Sequence, residues 1–321
     1  MIPDYTARGT IKVKKMLKRT ENRADRNIRS PLPAQSPKEL FCIIGLSRGS
    51  GKAEEQKACR NHAFFAILVP IKGGGAVKNY KLVLSYEGTR YRGWQRQGNT
   101  SGSLQEKLET LLSRMLEQQV ELAASGRTDA GVHARMQVCS FRAETKRSPE
   151  DLLQELRRHL PEDIGAVSLE EADPRFHARL SCREKTYLYR IWNSEMPNVF
   201  TRRFQLRVPE KLDPDAMRSA AELLCGEHDF AAFCSLKNAK RSTVRELRSI
   251  EIRREGEELQ LFFTGDGFLY NMVRILTGTL LEVGQGIRSP ESVAEALLTK
   301  DRAQAGPTAP AQGLCLWEVR Y

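Results

Sequence analysis

The chain has 321 residues, of which 40% are hydrophobic and 28% charged, an ordinary composition for a soluble globular protein. No apolar run approaches the length of a membrane span, so we expect no membrane association. The seven cysteines form no C-x-x-C pair and the five histidines show no ligand spacing, which predicts reduced thiols, a cytoplasmic location and no metal site.

The charge of the chain is concentrated near its start. The formal net charge is +11, and residues 1–78 carry 16 basic and six acidic residues, a net of +10. The remaining 243 residues carry 35 basic and 34 acidic residues and are nearly neutral. If this larger part binds nucleic acid, we expect it to do so through a local basic cleft.

Residues 1–78 form an N-terminal extension without long, clean periodicity, which we expect to be disordered or to lie upstream of the true start. The stretch Lys72–Val77 is compatible with a purine-rich ribosome-binding sequence followed by a GTG start codon at Val77. Residues 42–52 suggest a phosphate-binding loop and hence a nucleotide kinase as an alternative. That motif fails because Leu46 replaces its first glycine and Ala53 replaces its hydroxyl residue.

From Tyr80 onward, hydrophobic periodicity and helix-capping residues predict two α+β subdomains, 79–181 and 182–321, that face each other across a cleft. In the first half we predict strands at 80–86, 120–124, 136–141 and 164–170, with helices that begin at Ser103 and Ser148. This βαββαβ order is the ferredoxin-like arrangement. In the second half we predict strands at 182–192, 204–208, 244–253, 258–265 and 314–321, and helices at 213–224, 268–283 and 290–298.

The run Ser125–Ala134 (SGRTDAGVHA) falls between two predicted strands and holds Asp129 close to Arg127. Glycines on each side of the Arg-Thr-Asp core indicate a sharply bent loop. A carboxylate that an arginine keeps ionised on a stiff loop suits a nucleophile or an acid/base group. A bare Arg-x-Asp would more often be a surface ion pair, and the longer string shifts the odds towards chemistry.

This run resembles the catalytic loop of the tRNA pseudouridine synthases that act on the anticodon stem-loop, the A-type family. The resemblance extends over nearly all of residues 80–321. Further matching segments follow in the family's order: 86–95 (YEGTRYRGWQ), 176–179 (FHAR), 185–187 (KTY), 226–230 (GEHDF), 267–274 (GFLYNMVR) and 305–310 (AGPTAP). It implies the pseudouridine-synthase fold, with two ferredoxin-like subdomains and mainly antiparallel sheets flanking a central cleft.

The resemblance also implies an activity and its residues. Asp129 is expected to catalyse isomerisation of uridine to pseudouridine at tRNA positions 38–40, without a cofactor, by cleavage of the N-glycosidic bond, base rotation and rejoining through C5. Tyr187 and Arg127 are expected to bind the substrate, and Arg274 to support the catalytic carboxylate. From the residues alone, Tyr187 could equally fill the core, and Arg274 could extend to the surface from its apolar helix.

Further RNA contacts are expected from a mixture of cations, aromatic groups and polar side chains near the matched motifs. They are Arg90, Arg92, Trp94, Gln95, His133, His177 and Arg179. The alternative for the 90–96 loop is a solvated basic surface, and His133, His177 and Arg179 could be structural. The expected partners are tRNA and a second copy of the chain in a homodimer. The alternative function is that of a non-catalytic RNA-binding relative with the same cleft.

Overall fold

The computed structural model describes residues 76–98, 101–235 and 242–321. In this part of the chain, elements follow one another as β1 (Val77–Tyr86), α1 (Leu104–Leu116), β2 (Ala123–Ala124), β3 (His133–Glu144), α2 (Pro149–His159), β4 (Ile164–Ala172), β5 (Glu184–Trp192), β6 (Leu206–Arg207), α3 (Pro214–Leu224), β7 (Gly226–Asp229), β8 (Val244–Glu255), β9 (Glu258–Gly265), α4 (Met272–Gly284), α5 (Ser292–Thr299) and β10 (Leu314–Arg320). The loop at 42–52 and nearly all of the extension lie outside these ranges. Within them, no helix is both long and apolar enough to cross a bilayer.

The ten strands of the described ranges form one continuous sheet, in the order β4-β1-β3-β10-β5-β9-β8-β7, with β2 paired to β3 and β6 paired to β5. Most neighbouring strands are antiparallel; β10 runs parallel to β3, and β6 parallel to β5. This architecture confirms the predicted α+β class with mainly antiparallel strands. The last strand joins the halves predicted as 79–181 and 182–321, so the two halves share one sheet.

Three helices begin where capping residues predicted. The Ser103 and Ser148 side chains accept hydrogen bonds from the backbone N–H groups of Glu106 and Asp151, three residues ahead. Asp213 caps α3 in the same manner, and a proline follows both Ser148 and Asp213 at the first turn.

The core is built from alternating strand residues and from one face of each helix. Tyr80, Leu82 and Leu84 on β1 are fully buried, and they share one face because strand side chains alternate. Helix α4 is buried on almost every side, and its only residues that are not buried are Arg274 and Glu282. Because its neighbours on the helix are buried, the Arg274 side chain has little freedom to move, and its positive charge stays in one place.

The predicted helix at 268–283 is shorter than expected. Helix α4 begins at Met272, because Asn271 adopts a left-handed conformation with φ of 60°. Residues 268–271 therefore form a turn that lies at the cavity described below. The matching segment 226–230 contains the short edge strand β7, which pairs with β8.

Candidate active site

The loop that carries Asp129 begins at the point where the neighbour of β3 changes. Strand β2 pairs with β3 at residues 139–140, whereas β10 pairs with it at residues 133–134. Ser125 donates a hydrogen bond from its hydroxyl to Gln137 Oε1 over 2.7 Å, and Gln137 Nε2 donates to the Gly126 carbonyl over 2.9 Å. Ser125 and Gln137 are fully buried, so this start of the loop is rigid.

The matched segment 86–95 packs against the backbone of the same loop. The backbone N–H of Trp94 donates to the Thr128 carbonyl over 2.9 Å. Gly93 has φ of +88°, and a Cβ there would lie 2.9 Å from the Thr128 oxygen. A Cβ on Gly88 would lie 2.0 Å from the Val132 oxygen. Only glycine permits this backbone-to-backbone approach, which explains both glycines of the segment.

Asp129 faces Arg274, as the resemblance implied. Arg274 Nη1 lies 3.6 Å from Asp129 Oδ2, and their side chains are 18% and 22% exposed. Two further groups fix the guanidinium: Nε donates to the Ala309 carbonyl over 2.7 Å, and Nη1 donates to Asn271 Oδ1 over 3.0 Å. Arg274 is therefore directed at the carboxylate by neutral acceptors behind it.

Burial raises the pKa of the Asp129 carboxyl, and the positive charge of Arg274 opposes that rise without cancelling it. The carboxylate is thus a stronger base and nucleophile than an aspartate in water. The nearby cation favours its ionised form, which a nucleophile requires.

Tyr187 lies beside this pair on β5. Its side chain is 7% exposed, and its ring meets that of Phe268 edge-on at a centroid distance of 5.0 Å. Burial and the charge of Asp129 raise the pKa of the hydroxyl, which is consequently protonated at neutral pH. Tyr189, two residues on, is fully buried and donates its hydroxyl to the Pro310 carbonyl over 2.8 Å. Of these two tyrosines, Tyr189 therefore packs the core and Tyr187 lines the cavity.

These residues line a cavity of about 770 Å³ that is open to solvent. Among the described residues, the charged ones that line it are one carboxylate, Asp129, and five cations: Arg127, Arg179, Lys185, Arg245 and Arg274. The surplus of positive charge is local, since the chain from residue 79 onward is close to neutral. Such a surplus favours a polyanionic ligand.

Arg127, which was predicted to bind the substrate, lines this cavity, and so do four of the predicted RNA-contact residues, namely Trp94, Gln95, His177 and Arg179. Trp94 is only 2% exposed, so it offers no free face for stacking on a base. Arg90 and Arg92 lie outside the lining and are exposed. Arg90 is also engaged, because its Nε and Nη2 donate to Asp163 Oδ2 over 2.9 and 2.7 Å.

His133 is a structural residue, contrary to its predicted role as an RNA contact. Its ring is 3% exposed. Nδ1 accepts a hydrogen bond from the Gly88 N–H over 3.0 Å, so Nε2 carries the proton and faces the Arg203 and Gln312 carbonyls at 2.9 and 3.1 Å. Burial lowers the pKa of the imidazole, so no charge remains there for a phosphate at neutral pH.

Sequence reasoning did not single out Lys185, Arg245, Phe268 or Asn271, which all line the cavity. Lys185 was detectable, because it stands two residues before Tyr187 on one strand and therefore shares its face. Arg245 and Phe268 come from elements whose proximity depends on long-range strand pairing. Within the described ranges, no group of three or more His, Cys, Asp or Glu residues is arranged to hold a metal ion.

A family model described as tRNA pseudouridine synthase matches residues 82–180 and 220–321. The chain belongs to this family. The matched ranges include Asp129 and Arg274, whereas Tyr187 lies in the interval between them. The resemblance seen in the motifs of the sequence is thereby confirmed.

Three individual relatives each align with about three quarters of the chain. It is 44% identical over 245 residues to tRNA pseudouridine synthase A of Bacillus sp. (strain KSM-64), covering 76% of this chain and 100% of the relative. It is 45% identical over 242 residues to tRNA pseudouridine synthase A of Geobacillus kaustophilus (strain HTA426), covering 75% and 93%. It is 42% identical over 245 residues to tRNA pseudouridine synthase A 2 of Bacillus thuringiensis subsp. konkukian (strain 97-27), covering 76% and 100%.

Proposed function

We propose that this protein isomerises uridine to pseudouridine in the anticodon stem-loop of tRNA, at positions 38–40. One observation carries the proposal: Asp129, the one carboxylate among the lining residues, faces Arg274 and lies near Tyr187 in a cavity with five cations. The cations suit an RNA backbone, and the buried carboxylate suits covalent catalysis. Membership of the tRNA pseudouridine synthase family supports the same activity.

The chemistry proposed for Asp129 is an internal rearrangement that balances without a cofactor. The carboxylate forms a bond to the target uridine, and the N1–C1′ bond breaks. The uracil stays in the cavity and rotates. C5 then bonds to C1′, and the bond between the carboxylate and the nucleoside breaks, which regenerates Asp129. The C5 proton leaves and N1 gains a proton, so substrate and product have the same composition. Arg274 keeps the carboxylate ionised and aimed before it attacks.

The target base must leave its stack to reach Asp129. A cavity of about 770 Å³ can hold one nucleotide. The Tyr187 ring, which meets the Phe268 ring edge-on, lines the cavity at the place where the flipped uracil would contact it. Its protonated hydroxyl makes no hydrogen bond to another described residue and is available to the substrate. Arg127 is exposed at the same loop, where it would fill the gap left by the base.

The remaining RNA contacts of the proposal are Arg92, Gln95, His177 and Arg179, which lie at or near the cavity with some exposure. Arg90 contributes its charge while it is bound to Asp163. Neutralising these side chains should weaken tRNA binding, because phosphate contacts release counterions.

We infer that the enzyme is a cytoplasmic homodimer, with residues 79–181 and 182–321 as its two subdomains and residues 1–78 as an N-terminal extension. The family resemblance supports the dimer, and five unpaired cysteines among the described residues suit a reducing compartment. Light scattering of the purified protein tests the dimer. Removal of residues 1–76 should leave pseudouridine formation intact, because all residues lining the cavity lie at or beyond 94.

Tritium release from tRNA labelled at C5 of uridine tests the activity, because forming the C5–C1′ bond expels that hydrogen. We expect release from a tRNA with uridines at positions 38–40 and none when these are replaced by cytidine. Release that persists after the replacement would place the target elsewhere. Tight tRNA binding without release would instead support the non-catalytic RNA-binding alternative.

A further inference from the structure

Lys185 stands at the edge of the Asp129 loop. It precedes Tyr187 by two residues on β5, so both side chains leave the same face of the sheet. A Cβ built on Gly126 would lie 3.7 Å from both Lys185 Cε and the Tyr187 hydroxyl. The lysine stem thus lies against the backbone of the catalytic loop, and Lys185 is one of the residues that line the cavity.

Lys185 has no carboxylate partner among the described residues. None of the ion pairs found there includes it, although the side chain is partly buried. Burial lowers the pKa of the ammonium, and the charges of Arg179 and Arg245 lower it further. Cys182 and Asp266 act in the opposite direction, but Asp266 is exposed and accepts a hydrogen bond from the backbone of Glu246. A cation in this position gains stability when an anion arrives.

Three of the cations that line the cavity therefore lie close enough to interact: Arg179, Lys185 and Arg245. They come from three separate segments, the 177–181 turn, β5 and the start of β8. Arg245 is positioned by a hydrogen bond from Nη1 to the Ser242 carbonyl over 3.0 Å, and its stem lies against Gly267. This convergence of like charges is costly in the empty site and suits a ligand with several anionic oxygens.

We propose that Lys185, together with Arg179 and Arg245, forms a subsite for a phosphate group directly adjacent to the flipped uridine. The inference rests on the proposed function and adds a specific ligand group to it. The subsite is separate from the Asp129–Arg274 pair, because no ion pair among the described residues joins Lys185, Arg179 or Arg245 to Asp129. Lys185 therefore binds the substrate backbone and does not act on the catalytic carboxylate.

The test measures equilibrium binding of a synthetic anticodon stem-loop RNA in an Asp129→Asn background, where binding is read without turnover. Lys185→Met removes the charge and keeps the stem, and Lys185→Arg restores the charge. Lys211→Met is the control, since Lys211 is exposed before α3 and outside the cavity lining. We expect Lys185→Met to weaken binding by about tenfold and to flatten the plot of log affinity against log salt by about 0.7. Lys185→Arg and Lys211→Met should stay close to the parent.

A second arm identifies the phosphate. We then measure the affinity of stem-loops that carry a single neutral methylphosphonate, either 5′ or 3′ of the target uridine. The two proteins compared are the Asp129→Asn parent and the same protein with Lys185→Met. One of the two should weaken binding to the parent but have no further effect on Lys185→Met. Equal losses in both proteins at both positions would overturn the subsite, as would an unchanged salt slope. A wild-type enzyme that binds with this Lys185 dependence but makes no pseudouridine would refute the proposed function and leave the subsite standing.

Discussion

Arg274 and Ala309 exchange two hydrogen bonds that join helix α4 to the loop before β10. The Arg274 side chain donates from Nε to the Ala309 carbonyl over 2.7 Å, and the Ala309 N–H donates to the Arg274 carbonyl over 3.0 Å. The matching segment 305–310 thereby holds the guanidinium that faces Asp129.

This junction depends on Gly278. A Cβ at this position would lie 1.8 Å from the Pro307 oxygen, a distance that no real contact reaches. We expect Gly278→Ala to push the loop away from α4, to destabilise the fold by about 1–3 kcal/mol or more, and to lower activity through Arg274. Thermal unfolding and pseudouridine yield measure both effects. Gly98→Ala is the control, because nothing lies within 4 Å of a Cβ there; equal stability of the two variants would contradict the proposed packing.

Replacing Arg274 should change how activity depends on pH. Its positive charge lowers the pKa of Asp129, so Arg274→Met should raise that pKa further. Because the reaction needs the carboxylate ionised, the acid limb of single-turnover rate against pH should move to higher pH. Arg218→Met, which breaks an exposed pair with Asp215 on α3, should leave the limb in place. An unshifted limb in Arg274→Met would mean that this cation does not control the ionisation of Asp129.

Arg90 and Arg92 should behave differently although they are neighbours. The Asp163 side chain is 8% exposed and is bound by both Arg90 and the Tyr91 hydroxyl, so Arg90→Ala should lower the Tm. Arg92 is exposed and makes no side-chain hydrogen bond or ion pair among the described residues, so Arg92→Ala should leave the Tm unchanged. Arg92→Ala should weaken tRNA binding and flatten its salt dependence. A salt slope identical to that of the wild type would show that Arg92 does not touch the RNA backbone.

Tyr187→Phe separates stacking from hydroxyl chemistry. The ring that packs against Phe268 is kept, so tRNA affinity should be retained. The hydroxyl is lost from a position beside Asp129, and we expect single-turnover rates to fall roughly 10²-fold, the smaller end of proton-transfer contributions. Tyr189→Phe is the matched control for turnover, since its hydroxyl bonds to Pro310 and not to substrate. A nearly normal rate in Tyr187→Phe would limit this residue to stacking.

Local chemistry made much of the fold predictable. The caps at Ser103, Ser148 and Asp213 start their helices because a short polar side chain satisfies free backbone N–H groups. Strand β9 has the predicted bounds, since its apolar residues alternate cleanly. The predicted start of helix α4 at residue 268 was wrong. The apolar pattern already begins there, but the left-handed backbone of Asn271 prevents residues 268–271 from joining the helix.

The sequence did not predict which strands that are distant in the chain pair with each other. Strand β10 joins both halves into one sheet by pairing with β3 and β5, and no local pattern encodes that choice. The lining of the cavity could not be predicted from local patterns either. Asp129 and Arg274 are 145 positions apart in the chain, and only the resemblance to the family indicated that they lie together. His133 was misassigned because burial decides whether a histidine binds a ligand or packs, and its motif alone does not reveal burial.

The most direct test of the account is Asp129→Asn, measured by pseudouridine formation and by tRNA binding on the same samples. The substitution keeps the size of the side chain and removes its negative charge. Asp215→Asn is the control, because that carboxylate is 89% exposed on α3. We expect Asp129→Asn to bind tRNA with unchanged affinity and to form no pseudouridine, while the control matches the wild type. Conversion of uridine by Asp129→Asn at the wild-type rate would contradict the assignment of this site.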